Sequence, residues 1–253
     1  MGKIIAVANQ KGGVGKTTTA VNVAAILAQK RKKVLLCDFD PQGNATTGLG
    51  ENPTTVGVSI YDVIMREVPV ANALKKTKWC DLLPSNVTLA AAEIEMVDIE
   101  KREYRLKQAL DQLKPNYDFI FIDCPPSLGL LTLNALIAAD TVMVPMQCEY
   151  YALEGLSQLT NTIRMVKRVL NPQLDIEGIV LTMFDGRTNL CMQVADEVKK
   201  HFDGKVFATP ITRNVRLSEA PSHGKPIIAY DKFSKGADCY ERLTNELLKR
   251  NKK

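Results

Sequence analysis

The 253-residue chain has no apolar run approaching the roughly 20 residues that span a bilayer. A helical membrane span is therefore excluded. The first apolar stretch, Ile4–Ala8, is too short for the core of a secretion signal and runs into polar Asn9-Gln10. A soluble, cytoplasmic protein is expected. None of the six cysteines, Cys37, Cys80, Cys124, Cys148, Cys191 and Cys239, forms a Cys-x-x-Cys pair. This argues against a zinc ribbon and against a disulfide framework. Most of them sit inside apolar runs and read as small buried hydrophobes. Internal repeats and low-complexity linkers are missing, as are helix-turn-helix, zinc-finger and aromatic stacking signatures. With 45% apolar and 24% charged residues, long disorder is excluded as well.

Charge of one sign is also scarce over most of the chain. Residues 1–182 carry 19 basic and 19 acidic side chains, while residues 183–253 carry 14 and 9. The whole net charge of +5 thus falls in the last quarter. That quarter reads either as a solvated face or as a phosphate-binding surface.

What is present is an alternation of strand-like and helix-like segments. Strands are expected at Lys3–Asn9, Val34–Phe39, Cys80–Leu83, Phe119–Asp123, Thr141–Pro145, Gly178–Met183 and Val206–Thr209. They are continuous apolar runs, which suits a parallel sheet covered on both faces. Helices are expected at Thr17–Lys30, Leu153–Leu170, Asn189–Phe202 and Lys235–Lys249. Ser85–Leu113 reads as one long helix or a helix pair closed by Pro115. The expected fold is α/β: a single doubly wound, mainly parallel sheet with helices on both faces, one P-loop domain over residues 1–253. Residues 183–253 form its basic quarter.

Lys11-Gly12-Gly13-Val14-Gly15-Lys16-Thr17-Thr18 follows the first strand and opens the first helix. Glycines let backbone N–H groups turn toward an anion, and the helix N-terminus adds free donors and its dipole. Lys16 is expected on the β- and γ-phosphates, and the Thr17 hydroxyl on Mg²⁺. The usual pattern G-x-x-x-x-G-K-[ST] is not met, since its first glycine falls at Gln10. A second lysine, Lys11, stands at the start of the loop instead.

Asp38 and Asp40 end the second strand and, two residues apart, point the same way into the ligand crevice. One orients an attacking water and the other supports the metal shell, or both are surface acids in a turn. Phe119-Ile120-Phe121-Ile122-Asp123 is a buried strand delivering a carboxylate toward Mg²⁺, a Walker B pattern.

The K-G-G-V-G-K-T-T loop resembles the deviant Walker A loop of the ParA/MinD ATPases. Four further segments narrow the resemblance to chromosomal ParA proteins of the Soj type. They are Asp38-Phe39-Asp40-Pro41-Gln42-Gly43-Asn44-Ala45-Thr46, Asp123-Cys124-Pro125-Pro126-Ser127, Gln147 to Gly155, and Arg213 to Ser222. The resemblance implies an Mg²⁺-dependent ATPase with Asp40 activating water and Asp38 supporting the metal site beside Thr17 and Asp123. It implies a homodimer in the ATP state, with each Lys11 serving the partner's nucleotide and Glu149 and Glu154 at the seam; the last two also read as a helix N-terminal charge pair. Met183, Pro210 and Asn214 occupy positions that hold adenine in relatives, although Met183 also reads as core. Arg187 and Arg216 are implied as contacts to non-specific double-stranded DNA, and Arg213 either there or at the nucleotide. The alternative for each arginine is a structural ion pair.

The resemblance further implies a nucleoid-associated partition switch released by a ParB-type centromere-binding partner. Relatives also touch the replication initiator DnaA and, in spore formers, bear on sporulation. The length leaves no room for an N-terminal operator-binding extension, which favours a chromosomal or a small plasmid type. The competing reading is a MinD-like membrane-surface ATPase. It requires an apolar C-terminal anchor, and the tail Lys249-Arg250-Asn251-Lys252-Lys253 has none. An iron–sulfur electron-transfer ATPase lacks its cluster-cysteine contexts here.

Overall fold

Apolar strands without polar alternation need cover on both faces, and the helices of this chain supply it. The computed structural model describes residues 2–252; Met1 and Lys253, the end of the basic tail, lie outside the described residues. In order the elements are β1 (Lys3–Val7), α1 (Lys16–Gln29), β2 (Val34–Asp38), α2 (Asn44–Gly48), α3 (Ile60–Met65), α4 (Val70–Ala73), β3 (Lys75–Lys76), β4 (Asp81–Leu83), α5 (Leu89–Glu95), α6 (Arg105–Leu113), β5 (Phe119–Asp123), α7 (Leu130–Ala138), β6 (Thr141–Gln147), α8 (Ala152–Val169), β7 (Asp175–Thr182), α9 (Asn189–His201), α10 (Val215–Glu219), α11 (Ile227–Tyr230) and α12 (Lys235–Arg250).

The strands form one sheet in the order β3-β4-β2-β5-β1-β6-β7. Only the short β3 runs antiparallel to its neighbour. Side chains alternate between the faces, as the pleat requires. Ile4 and Ala6 of β1 and Ile120 and Ile122 of β5 join the core under α5 to α9. Ile5 and Val7, with Phe119 and Phe121, join the core under α1 and α12. The two central ladders end level: Val7 and Asp38 both pair with Asp123. That level edge is the floor of the crevice described below.

One expectation is narrowed and one differs. Ser85–Leu113 is a helix pair, α5 and α6, joined through 3-10 turns at Met96–Asp98 and Arg102–Tyr104. The break falls where Ile99 is extended and Lys101 takes a left-handed conformation at φ 55°. Val206–Thr209, by contrast, is not a strand. Val206 makes an isolated parallel bridge to Ile179, and the next bridge is Thr212 to Phe184. Pro210 between them has no N–H to continue a ladder.

The apolar side of α12 is used inside the fold. Tyr240, Leu243 and Leu247 are buried in the core that holds α1, and the Tyr240 hydroxyl meets Thr19 Oγ1 at 3.1 Å. No helix among the described residues is long and apolar enough to cross a membrane.

Candidate nucleotide site

The loop between β1 and α1 wraps the carboxyl edge of the sheet. Gly13 and Gly15 sit at φ 74° and 86°, a region that L side chains rarely enter. Gly15 precedes α1 without any side-chain cap, so the first N–H groups of the helix are left for an outside acceptor. The loop is tied down from behind. Asn9 donates to the Pro145 carbonyl at 2.8 Å and accepts from the Lys11 N–H at 3.0 Å. β6 pairs with β1 only through Thr141–Met143, so Pro145 lies past that ladder and its carbonyl is free for Asn9. Thr182 Oγ1 donates to Val14 O at 2.8 Å, and Gln147 Nε2 to Gly13 O at 3.2 Å. Gln147 and Thr182 are register partners at the ends of β6 and β7.

Lys16 is buried and folds back over the loop, donating from Nζ to the Lys11 carbonyl at 3.1 Å. Burial lowers its pKa, against the opposing fields of Asp123 and Asp40. Thr17 and Thr18 are partly exposed on the first turn of α1.

Below the loop lie three buried acids. Asp38 is fully buried and accepts from Thr46 N and Thr46 Oγ1, each at 2.7 Å, and from Asp40 N at 3.3 Å. Burial raises its carboxyl to about 6, although those hydrogen bonds pull the other way. Asp123 is fully buried, and neither of its oxygens has a hydrogen-bond partner among the described residues. Burial, and then the field of Asp38, push it well above the usual carboxylate range; Thr17 and Lys16 nearby offset this only in part. Asp40 is 6% exposed and accepts from Gln42 N at 2.9 Å.

Such a deficit of positive charge and donors fits a divalent cation. Among the described residues no cluster of three or more His, Cys, Asp or Glu is placed to hold a metal by itself. A hard ion here would take Thr17 and one or two carboxylates and complete its shell with phosphate and water, the usual arrangement for Mg²⁺.

Lys11 and Gly12 face outward. Lys11 Nζ pairs with Glu149 of the same chain, both half exposed. A Cβ added at Gly12 would meet only Pro126 Cβ, at 3.9 Å. Beside α1, a cavity of about 320 Å³ is lined by Met183, Arg213 and Asn214 with Thr182, Pro221 and Tyr240 among others. Pro210 is not part of that wall. The Asn214 side chain caps α10 by accepting from Arg216 N at 2.9 Å, and Met183 takes a left-handed φ of 47°.

The remaining arginines are held by acids of their own chain. Arg187 grips Asp185 with Nε at 2.8 Å and Nη2 at 2.7 Å, while its side chain is 90% exposed. That fork holds the Asp185 carboxyl at about 2. Arg216 pairs with Glu219 at 2.9 Å and lies 3.5 Å from Asp231. Nothing in the sequence spacing marks Asn9, Gln147 or Thr182 as loop supports. Their one signal is position, at the ends of strands that the parallel ladder brings level.

The chain matches a family described as an AAA domain over residues 2–176. It is 59% identical to the sporulation initiation inhibitor protein Soj of Bacillus subtilis (strain 168), covering 98% of each chain. It is 54% identical to the chromosome partitioning protein ParA of Myxococcus xanthus (strain DK1622), over 99% of this chain and 89% of that one. Among solved structures it is similar to cobyrinic acid a,c-diamide synthase from Mycobacterium smegmatis with bound ATP analog and magnesium. That likeness has a TM-score of 0.86 and 40% identity, and covers 98% and 95% of the two chains.

The buried acids set a pH dependence. A carboxyl whose folded pKa is raised binds more protons in the native than in the unfolded state, so its contribution to stability falls as pH rises between the two values. For Asp38 the window runs from about 4 to about 6, and Asp123 extends it upward. The nucleotide-free protein is expected to melt at a lower temperature at pH 7 than at pH 5. Asp123→Asn is expected to flatten that profile; an unchanged slope in the variant would remove Asp123 as its source.

Proposed function

The chain belongs to the ParA/Soj family of chromosome-partitioning P-loop ATPases, and from that premise we propose that it is an ATP-driven dimerisation switch for DNA partitioning. The observation that carries the reading is the pair of level, buried carboxylates, Asp38 and Asp123, under a loop whose backbone donors face outward. An Mg²⁺–nucleotide supplies what both layers lack. Bound Mg²⁺ would neutralise charge between the β- and γ-phosphates.

The residues of the chain then divide the work. Gly12, Gly13, Val14, Gly15 and Thr18 present backbone donors to the phosphates. Lys16 leaves the Lys11 carbonyl for the β- and γ-oxygens, and Thr17, Asp38 and Asp123 hold the metal side. Asp40, close to this group but bound only through Gln42 N and its own turn, would orient the water that attacks the γ-phosphorus. The P–O bond to the β-phosphate breaks, leaving ADP and inorganic phosphate. Met183, Asn214 and the edge near Pro210 take the base.

Lys11 acts across the dimer. Its pair with Glu149 is exposed and therefore weak, so a partner's phosphates can draw it away. Two chains with two ATP molecules between them would couple hydrolysis to assembly. The dimer would bind double-stranded DNA through phosphate contacts from Arg187 and Arg216, with Arg213 nearer the nucleotide. A ParB-type partner would stimulate hydrolysis and release the protein from the nucleoid. Contact with DnaA belongs to the same proposal. Residues 1–253 act as one unit, residues 183–253 supplying the basic face.

Co-sedimentation with non-specific duplex DNA tests this, using Asp40→Ala to prevent turnover. Binding is expected with ATP and not with ADP or without nucleotide. Arg187→Ala should reduce the slope of log affinity against log salt by about 0.9. Equal binding in all three nucleotide states would refute the switch.

Gly12→Val provides a separate check. Space at Gly12 is open within one chain, so the variant should fold and bind ATP normally. It should fail to dimerise, because the added methyls stand on the face a partner must approach. Wild-type dimer mass with ATP in this variant would rule out a close contact at Gly12.

A further inference from the structure

Among the described residues the most exposed large apolar side chain is Phe233, at 88%. It does not hang on a loose loop. The Phe233 N–H donates to Asp231 Oδ1 at 3.3 Å, and the Ser234 N–H and hydroxyl both donate to the Asp231 carbonyl, at 3.1 and 2.8 Å. Ser234 then caps α12 by accepting from Ala237 N at 3.2 Å. Behind the cap, Gly236 packs so closely on α10 that an added Cβ would lie 2.8 Å from Leu217 Cγ. The turn before α12 therefore holds one phenyl ring in water at a fixed place.

That place is basic. Asp231 Oδ2 lies 3.5 Å from Arg216 Nε, so the tip stands beside Arg216. Lys232 Nζ sits 4.8 Å from the centre of the Phe233 ring, and Lys235 follows on the first turn of α12. The acids nearby are engaged elsewhere: Asp231 faces Arg216, and Asp238 pairs with Arg242 at 3.8 Å. Val215, 69% exposed, precedes Arg216 in α10. An apolar ring kept in water costs free energy that nothing within the chain returns. A bilayer surface would take an apolar helix face several residues wide, and the tip offers one ring. Nucleic acid carries at close spacing both things the tip can use, phosphates for the cations and flat apolar faces for the ring.

We propose that Phe233 is a non-ionic contact to double-stranded DNA. Lys232, Lys235 and Arg216 take phosphates, and the ring enters the minor groove and packs on sugar and base edges. This deepens the DNA-binding reading given above and rests on it. The ring displaces no counterion, so its share of the affinity is one that salt leaves in place. A single ring on a rigid tip acts as a wedge, which does not require the row of aromatic side chains used to stack single strands.

The test uses the full-length Asp40→Ala protein as parent and a labelled non-specific duplex, with affinity measured against salt in the presence of ATP. Phe233→Ala is expected to lower affinity about tenfold at every salt concentration, with the slope of log affinity against log salt unchanged. Lys232→Ala with Lys235→Ala should instead reduce that slope by about 1.8, two phosphates at about 0.9 each. Phe233→Trp should bind as tightly as the parent, and DNA should quench its added emission, read against the parent, whose one tryptophan is Trp79. The ring is exposed, so every Phe233 variant should melt with the parent. Affinity of Phe233→Ala within about twofold of the parent, a loss that comes with a changed slope, or an unquenched Phe233→Trp would overturn the proposal. So would Phe233-dependent binding to vesicles of anionic phospholipid that exceeds binding to DNA. ATP-dependent DNA binding indifferent to Phe233 overturns this inference alone. Binding that needs Phe233 equally with ATP, with ADP and without nucleotide overturns the switch alone, and no DNA binding by the parent overturns both.

Discussion

Two carboxyl groups buried side by side are the constraint around which the rest of the molecule is arranged. Parallel pairing of β2 with β5 places Asp38 opposite Asp123, with both side chains out of water. Isolated carboxylates in such a place are costly to ionise. Asp38 is partly relieved by Thr46, whose N–H and hydroxyl both reach it. Asp123 has no hydrogen-bond partner of that kind, and Thr17 and Lys16 offset its burial only in part. The protein thus holds two carboxyls that ionise readily only when a cation joins them, and it holds them rigidly, because both acids sit on central strands rather than on loops.

The loop above answers with the opposite sign. Its donors come from backbone and from Lys16, and it is braced at Gly13 and Val14 by Gln147 and Thr182 from the two neighbouring strands. Bracing matters because glycines that permit the left-handed turns also give the chain freedom to collapse. With carbonyls of the loop engaged from behind, the N–H groups after Lys11 are left without a backbone acceptor among the described residues. The phosphate cradle is therefore a property of three strands and one helix, and not of the glycine run alone.

Much of this was legible in the residues. A strand, a glycine-rich turn, Lys16-Thr17 and a helix follow one another, and apolar β5 ends in Asp123. Short-range pattern carries that information, because strand ends, turns and helix starts are set by residues close in sequence. The supports were not legible: Asn9, Gln147 and Thr182 act through carbonyls that only the sheet register brings near. The break near Ile99 and Lys101 was hidden for a related reason. Ser85–Leu113 has helical composition throughout, and the helix nonetheless stops where Ile99 turns extended and Lys101 left-handed. The arginines illustrate a third limit. Sequence gave their charge, but Asp185 and Glu219 lie two and three residues away, and only the geometry shows them engaged.

The Asp185–Arg187 fork has a consequence for what the basic face will tolerate. An arginine already clasped by its own carboxylate gives up two short, charge-assisted bonds before it accepts any other anion. One small phosphate offers about the same in exchange, so inorganic phosphate or a free nucleotide gains little by displacing the acid. A long polyanion is different: it presents many charges at once, and its counterions are released together. The pair is exposed and therefore weak in itself, so what it alters is preference: a chain of phosphates gains over a single one, and the guanidinium stays held at the surface in the meantime.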